Sequence, residues 1–259
     1  MAPTQYAESS DCQPVALVTG AAGGIGQAIC SALAEHGFRV FAADLRHAPT
    51  STSGSSASTA NPCTPVNLDV TQPDSWPHTL REIEQTVGRL DLLVNNAGIL
   101  TLGSVEQTSF DEWQRLMSVN LTGAFLGMRA SASMLKAARG SVVNISSVVA
   151  LRGNDRMVAY AASKAGLLGL TYASAKDFAR DGVRVNAVCP GTVDTPMSTE
   201  FFGAGAQEAA ARKASIAKHP LGRLGLACEV AAAVVYLSSA QAAFVTGIAL
   251  PVDGGRLLG

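Results

Sequence analysis

The sequence predicts an α/β fold: a single doubly wound parallel sheet of about seven strands with helices on both faces. Three observations lead there. Short apolar runs alternate with helical patterns from residue 15 to about residue 250. Several of the runs are apolar throughout rather than alternating, as strands covered on both faces require. Hydrophobic residues make up 47% of the 259 and charged residues 15%, enough to fill a large core and to exclude disorder across the whole chain.

Taken in order, the strand-like runs are 15–19, 39–43, 65–68, 90–95, 141–146, 183–188 and 248–252. Helical patterns fall between them at 24–35, 76–87, 110–137, 161–180 and 227–238. No shift in composition divides residues 1–259 into two domains, and residues 1–13 read as a flexible start. Two stretches break the rhythm. Residues 48–62, APTSTSGSSASTANP, are poor in helix formers and read as a mobile loop in the place of a crossover helix. Residues 192–221 form a long connection after a strand, the usual place for a substrate lid.

The bulk numbers narrow the function classes. A net charge of −1 offers no basic face for nucleic acid. Five cysteines at 12, 30, 63, 189 and 228 show no C-x-x-C pair, which argues against a disulfide framework or a zinc site and fits a reducing, cytoplasmic setting. Four histidines at 36, 47, 78 and 219 have no ligand spacing, so no metal is expected. The first residues lack a basic start followed by an apolar run, and no uninterrupted apolar stretch is long enough for a membrane span.

The chemistry begins at the first turn. Residues 15–19 lead into Gly20-Ala-Ala-Gly-Gly-Ile-Gly26 and then a helix. Gly20 allows a tight turn, Gly24 lets the backbone approach a pyrophosphate, and Gly26 permits close helix–strand packing; the helix N-terminus presents free N–H groups to the phosphates. A glycine cluster alone is weak, but between a buried strand and a helix it is the dinucleotide-binding fingerprint of a Rossmann-type sheet. Asp44 closes the second strand, eighteen residues beyond Gly26. An acid there accepts both hydroxyls of an adenosine ribose and repels a 2′-phosphate, which favours NAD over NADP. Arg46 follows the acid rather than replacing it, and the glycine turn has no Arg or Lys.

Tyr160 and Lys164, four apart at the start of a helix, share one face. A cation beside a phenol stabilises the phenolate and lowers its pKa from about 10, making Tyr160 a usable proton donor and acceptor. Ser147 ends a buried strand thirteen residues earlier and can polarise a substrate oxygen. Asn120 sits within the 110–137 pattern, where Asn is disfavoured, and suggests a kink or a water site.

With these residues in view, the chain resembles the classical short-chain dehydrogenase/reductase family over nearly its full length. The matching motifs are Thr19-Gly-x-x-x-Gly-Ile-Gly26, Asp69-Val70, Asn95-Asn-Ala-Gly98, Asn120, Ser147, Tyr160-x-x-x-Lys164, Pro190-Gly191 and Val252-Asp-Gly-Gly255. The resemblance implies an oxidoreductase that interconverts a secondary alcohol and a ketone, with Asn120, Ser147, Tyr160 and Lys164 as its catalytic set. It implies that Asp69 and Val70 meet the adenine, and that Asn96, Ala97 and Gly98 line its ribose. Lys164 would also hold the nicotinamide ribose, and the carbonyl of Asn120 a water leading from Lys164 to solvent. Val193 and Thr195, after Pro190 and Gly191, would engage the carboxamide; Ile25 and Leu45 complete the cofactor set. A homotetramer is implied as well, through the long helices and the last strand. The departure from the family is the Ser/Thr-rich 48–62 stretch, where a helix is usual.

The substrate is a small molecule of less certain class. Arg152, Asn154, Asp155 and Arg156, between Ser147 and Tyr160, either grip a carboxylate or several hydroxyls or form a solvated loop tip. Met197, with Phe201 and Phe202, walls the pocket or belongs to core or interface. A small hydroxy acid, sugar or polyol is the leading reading. The alternative is a 3-oxoacyl-carrier-protein-type or other carbonyl reductase using NADPH. A catalytically idle cofactor-binding scaffold is disfavoured because Tyr160 and Lys164 are both present.

Overall fold

A computed structural model describes residues 13–45, 63–203 and 205–258. Seven parallel strands form one sheet in the order β3-β2-β1-β4-β5-β6-β7. They are β1 (Val15–Thr19), β2 (Arg39–Asp44), β3 (Cys63–Asn67), β4 (Leu92–Asn95), β5 (Ser141–Ile145), β6 (Arg184–Pro190) and β7 (Ala249–Val252). The expectations for residues 1–12 and for 48–62 lie outside the described residues, as does Arg46.

The unbroken apolar character of β1 now has a cause. Side chains alternate across a strand, so Val15 and Leu17 enter one core while Ala16 and Val18 enter the other. Helices α1 (Gly24–Glu35) and α9 (Ala227–Ser238) pack together on the second face, bringing Ile29, Leu33, Val230 and Val234. On the first face lie α2 (Ser75–Val87), carrying Trp76 and Ile83, and α4 (Gly123–Ala138), carrying Leu135. Each large side chain buried this way is worth about 1.5–3 kcal/mol. Trp76 fits against α4 only because residue 127 is glycine: a Cβ there would lie 2.5 Å from the indole ring.

The helix predicted over 110–137 is interrupted. It begins as α3 (Phe110–Met117), capped by a reciprocal pair in which Ser109 Oγ accepts from the Glu112 amide and Glu112 accepts from the Ser109 amide. It then widens into a π-helical turn, Ser118–Thr122, before continuing as α4. The cause is Asn120, whose side chain bonds away from the helix (below). The sequence between Ser147 and Tyr160 contains a short helix, α5 (Val149–Arg152), and α6 spans Val158–Phe178. Residues 192–221 hold α7 (Pro196–Phe202) and α8 (Ala206–Ala217) rather than plain loop.

The chain runs outward from β1 to β3, then crosses back to β4 on the other side of β1. Such a switch in direction leaves a crevice beyond the carboxyl ends of the strands, where ligands of open α/β sheets bind.

Candidate active site

A cleft of about 740 Å³ opens at this switch point, lined from the glycine turn at one end to α7, α8 and the turn after β7 at the other. Gly20 has φ +64°, and a Cβ on it would lie 2.7 Å from the Ala97 backbone. Gly26 is constrained more tightly: its Cβ would fall 2.1 Å from the Gly20 carbonyl oxygen. Gly24 also faces the loop after β6: a Cβ there would meet the Thr195 side chain at 3.0 Å. Gly23 caps α1 without a side chain, leaving the first-turn amides to a ligand.

Asn96 fastens this turn to β4. Its Nδ2 donates to the carbonyls of Thr19 and Gly20, both at 2.9 Å, while Thr19 Oγ1 accepts from the amides of Asn96 and Ala97. Asp44 lines the cleft at the end of β2 and accepts from the Ala22 amide at 2.9 Å; Leu45 beside it is exposed. Asp69 accepts from the amide and hydroxyl of Thr71, and Val70 lies buried next to it. These residues fit a dinucleotide: a glycine cradle with uncapped amides, an acid at the ribose position, and a polar turn beyond β3.

Of the four proposed catalytic side chains, Ser147, Tyr160 and Lys164 line the opposite wall, and Asn120 lies buried behind it. Ser147 is 7%, Lys164 4% and Asn120 1% exposed, and Tyr160 is partly buried. Lys164 Nζ donates to the Ile145 carbonyl at 2.8 Å and stands 5.8 Å from the centre of the Tyr160 ring. A Cβ on Gly98 would lie 3.3 Å from Lys164 Nζ and 3.4 Å from Asn120 Oδ1, so glycine keeps this passage open. Asn120 Oδ1 accepts from the Ile99 amide, and its Nδ2 donates to the Ile99 carbonyl and to Ser163 Oγ. A π-turn at such a site is common, because the widened backbone frees groups for other partners.

Ser147 Oγ accepts from the Val149 amide at 3.2 Å, which leaves its own O–H to donate. Burial pushes the Tyr160 phenol up to about 12, with hydrogen bonding to Ser147 pulling it partly back. Burial likewise brings the Lys164 ammonium down to about 8. The lowering of the Tyr160 pKa by its lysine neighbour, expected from spacing, is not among the effects that act here: desolvation dominates and Ser147 supplies the opposing pull.

Three positioning side chains escaped the sequence reading. Ser163 donates to the Tyr160 carbonyl while accepting from Asn120, and Ser146 donates to the Lys164 carbonyl, tying α6 to β5. Their only signal was position, each immediately preceding a candidate residue. His219 is buried; its Nε2 accepts from the Thr192 amide and its Nδ1 donates to the Ser215 carbonyl. This pattern fixes a neutral imidazole. It gave no sequence signal, since one of its partners, Thr192, lies 27 residues away.

Of the predicted substrate residues, Asn154 and Met197 line the cleft, as does Phe201, while Phe202 is buried. Arg152 is not brought into the lining; it is exposed and donates to the Arg256 carbonyl. Asp155 and Arg156 are also exposed. Pro190, Gly191, Val193 and Thr195 line the cleft after β6. Among the described residues no group of three or more potential ligands gathers for a metal, and no helix is long and apolar enough to cross a membrane.

Known proteins share this arrangement. A family model described as enoyl-(acyl carrier protein) reductase matches residues 20–256. A trans-4-hydroxycyclohexanecarboxylate dehydrogenase of Sinomonas cyclohexanicum is 40% identical over 95% of this chain and 94% of its own. A 2-(S)-hydroxypropyl-CoM dehydrogenase 3 of Xanthobacter autotrophicus is 43% identical over 93% and 95%. The ligand-free aldohexose dehydrogenase of Thermoplasma acidophilum superposes with a TM-score of 0.86 at 35% identity, covering 96% of this chain and 95% of that one. The chain belongs to the short-chain dehydrogenase/reductase family, nicotinamide-dependent oxidoreductases acting on secondary alcohols and ketones.

Proposed function

We propose that this oxidoreductase is an NAD-dependent dehydrogenase of small hydroxy acids, sugars or polyols. The carrying observation is that Ser147, Tyr160 and Lys164 line one wall of the cleft, with Asn120 buried behind them and bonded to Ser163 on α6, and Asp44 lines its other end. The amides of Gly24, Ile25 and Gly26 hold the pyrophosphate. Asp44 and Leu45 take the adenosine ribose, Asp69 and Val70 the adenine, and Asn96, Ala97 and Gly98 the floor between. Pro190, Gly191, Val193 and Thr195 take the carboxamide end, and Lys164 the second ribose. When bound, the nicotinamide accepts or donates the hydride and, oxidised, adds positive charge that favours the phenolate.

Tyr160 takes the proton of the substrate hydroxyl, or returns it in the reverse direction. Ser147 donates to the same oxygen and holds it against Tyr160. Lys164 passes the proton on, toward a water at the carbonyl of Asn120 in its π-turn. Residues 192–221 close over the substrate as a lid, with Met197 facing it and Asn154 opposite. The whole of 1–259 acts as a single domain, a homotetramer is the working assembly, and the scattered cysteines support a cytoplasmic setting.

Relatives named for a hydroxycyclohexanecarboxylate and for aldohexoses support the substrate range. The test is turnover of a panel of secondary alcohols, hydroxy acids and sugars with NAD⁺ and NADP⁺. NAD⁺ is expected to be preferred; preference for NADP⁺ would overturn the role of Asp44 and favour the NADPH-dependent reductase. Replacing Tyr160→Phe is expected to lower kcat by about 10²–10⁴-fold. NADH binding and the circular-dichroism spectrum should not change, and undiminished turnover would remove Tyr160 from the mechanism.

A further inference from the structure

Charge is divided along the cleft. Its lining contains two carboxylates, Asp44 and Asp69, both on the segments that follow β2 and β3. Beyond β6 and β7 the lining instead presents Lys218 and Arg256, with no acid among the described lining residues there.

Arg256 opens the 3₁₀ turn Arg256–Leu258 that follows β7. The fold sets this turn against the reacting end. Leu257 packs on the apolar cluster of Val148, Val149 and Met157, which Tyr160 and Phe201 also join. The guanidinium of Arg152 donates to the Arg256 carbonyl at 2.7 Å, fixing the turn to α5. Arg256 Nη1 donates to Thr192 Oγ1 at 2.6 Å, at the root of the segment leading to α7.

Arg256 has one acid that supports its charge and makes no ion pair among the described residues. The neighbouring acid is Asp253, but its two oxygens accept from the amides of Gly255 at 3.0 Å and Leu257 at 2.9 Å. The four ion pairs among the described residues do not include Arg256. Arg152 on α5 is the like charge that acts on it, and Lys218 after α8 lines the same cleft. Burial, and next the Arg152 charge, hold its proton affinity below the ordinary value. A partly buried guanidinium beside a like charge, with its one nearby acid outside ion-pair distance, gains from a further anion, and its planar fork of donors matches a carboxylate.

We propose that Arg256 is the specificity-determining residue for an anionic substrate: it binds a carboxylate at the end of the cleft opposite Asp44, so the enzyme selects hydroxy or keto acids over neutral alcohols. This rests on the dehydrogenase reading and narrows its substrate class. Arg152, which the sequence offered for this task, supports the turn that presents Arg256.

The test compares acids with their neutral amides. Wild type, Arg256→Met and Arg256→Lys are assayed with 3-hydroxybutyrate and 3-hydroxycyclohexanecarboxylate and with the primary amide of each. Binding of cyclohexanecarboxylate, which cannot react, is followed separately by saturation-transfer NMR. Wild type should prefer the acids. Arg256→Met should lose roughly 10- to 100-fold in kcat/KM on the acids, chiefly through KM, with the amides nearly unaffected. Arg256→Lys should keep part of the preference, and cyclohexanecarboxylate should bind wild type but not Arg256→Met. Equal use of acids and amides by wild type would overturn the proposal, as would a loss that falls on both alike. If Arg256→Met fails to fold, an Arg256→Lys enzyme with unchanged Tm and unchanged acid preference would overturn it as well. If no secondary alcohol is turned over, the dehydrogenase reading fails; cyclohexanecarboxylate binding still decides the anion site, and no binding to wild type sinks it.

Discussion

The two ends of the cleft are built differently. At the β1–β2 end the surface is backbone: four glycines within seven residues, amides at the start of α1, and a carboxylate one strand later. At the β6–β7 end it is assembled from side chains of α5, α6, the α7–α8 segment and the turn after β7. The first end has little room to vary, because Gly20 and Gly26 each have backbone where a Cβ would go. The second carries the hydroxyls, the phenol and the cations, and can be changed one side chain at a time. On the function proposed above, the contrast separates cofactor binding from substrate choice.

The sharpest way to break that division is Gly26→Ala. The added Cβ would meet the Gly20 carbonyl oxygen at 2.1 Å, and backbone cannot move aside as a flexible side chain can. Overpacking of this kind is expected to remove about 3 kcal/mol, lowering Tm by roughly 6–12 °C. NADH binding should be lost with it, and a thermal melt and titration matching wild type would show that the loop is not rigid. A smaller effect is expected from Asp44→Ala. Removing the carboxylate, together with its bond from the Ala22 amide, should raise NADP⁺ use relative to NAD⁺ by roughly 10- to 100-fold. An unchanged ratio of kcat/KM values would place cofactor choice elsewhere.

The smallest expected effect belongs to the substrate end. Burial holds the His219 imidazole below its ordinary value, with Arg256 and Lys218 acting in the same direction and the Ser215 carbonyl and Asp253 against it. A base whose folded pKa is depressed binds fewer protons folded than unfolded. Its contribution is therefore complete above the unfolded value of about 6.5 and is lost as pH falls from there through the folded value. Protonation would also remove the acceptor of the Thr192 amide. Wild-type Tm should fall below about pH 6.5 by an amount worth about 1 kcal/mol, and His219→Gln should flatten that limb. Parallel Tm–pH curves for the two proteins would exclude His219 as the source.

Much of the cofactor end was legible because its determinants are local. A glycine whose neighbours are its own turn, or an acid at the end of its own strand, is specified by a few adjacent residues. Seven apolar runs likewise reported seven strands, since burial on both faces of a parallel sheet leaves no polar alternation. The spacing of Tyr160 and Lys164 placed both on one helical face, and they lie in the first turns of α6. The same spacing did not report the burial that pushes the phenol up to about 12.

What the sequence determined by itself is thus the order of strands and helices, the glycine turn, and the residue types available for proton transfer. Only the tertiary structure decided which of them meet. Arg152, adjacent in sequence to the reacting residues, is turned outward to support a later turn, and Arg256, more than a hundred residues farther along, enters the cleft in its place. His219 and Thr192 become partners for the same reason. Local pattern fixes which way a segment of backbone runs, whereas the side chains that share a cleft are chosen by how distant segments pack around the ends of the sheet.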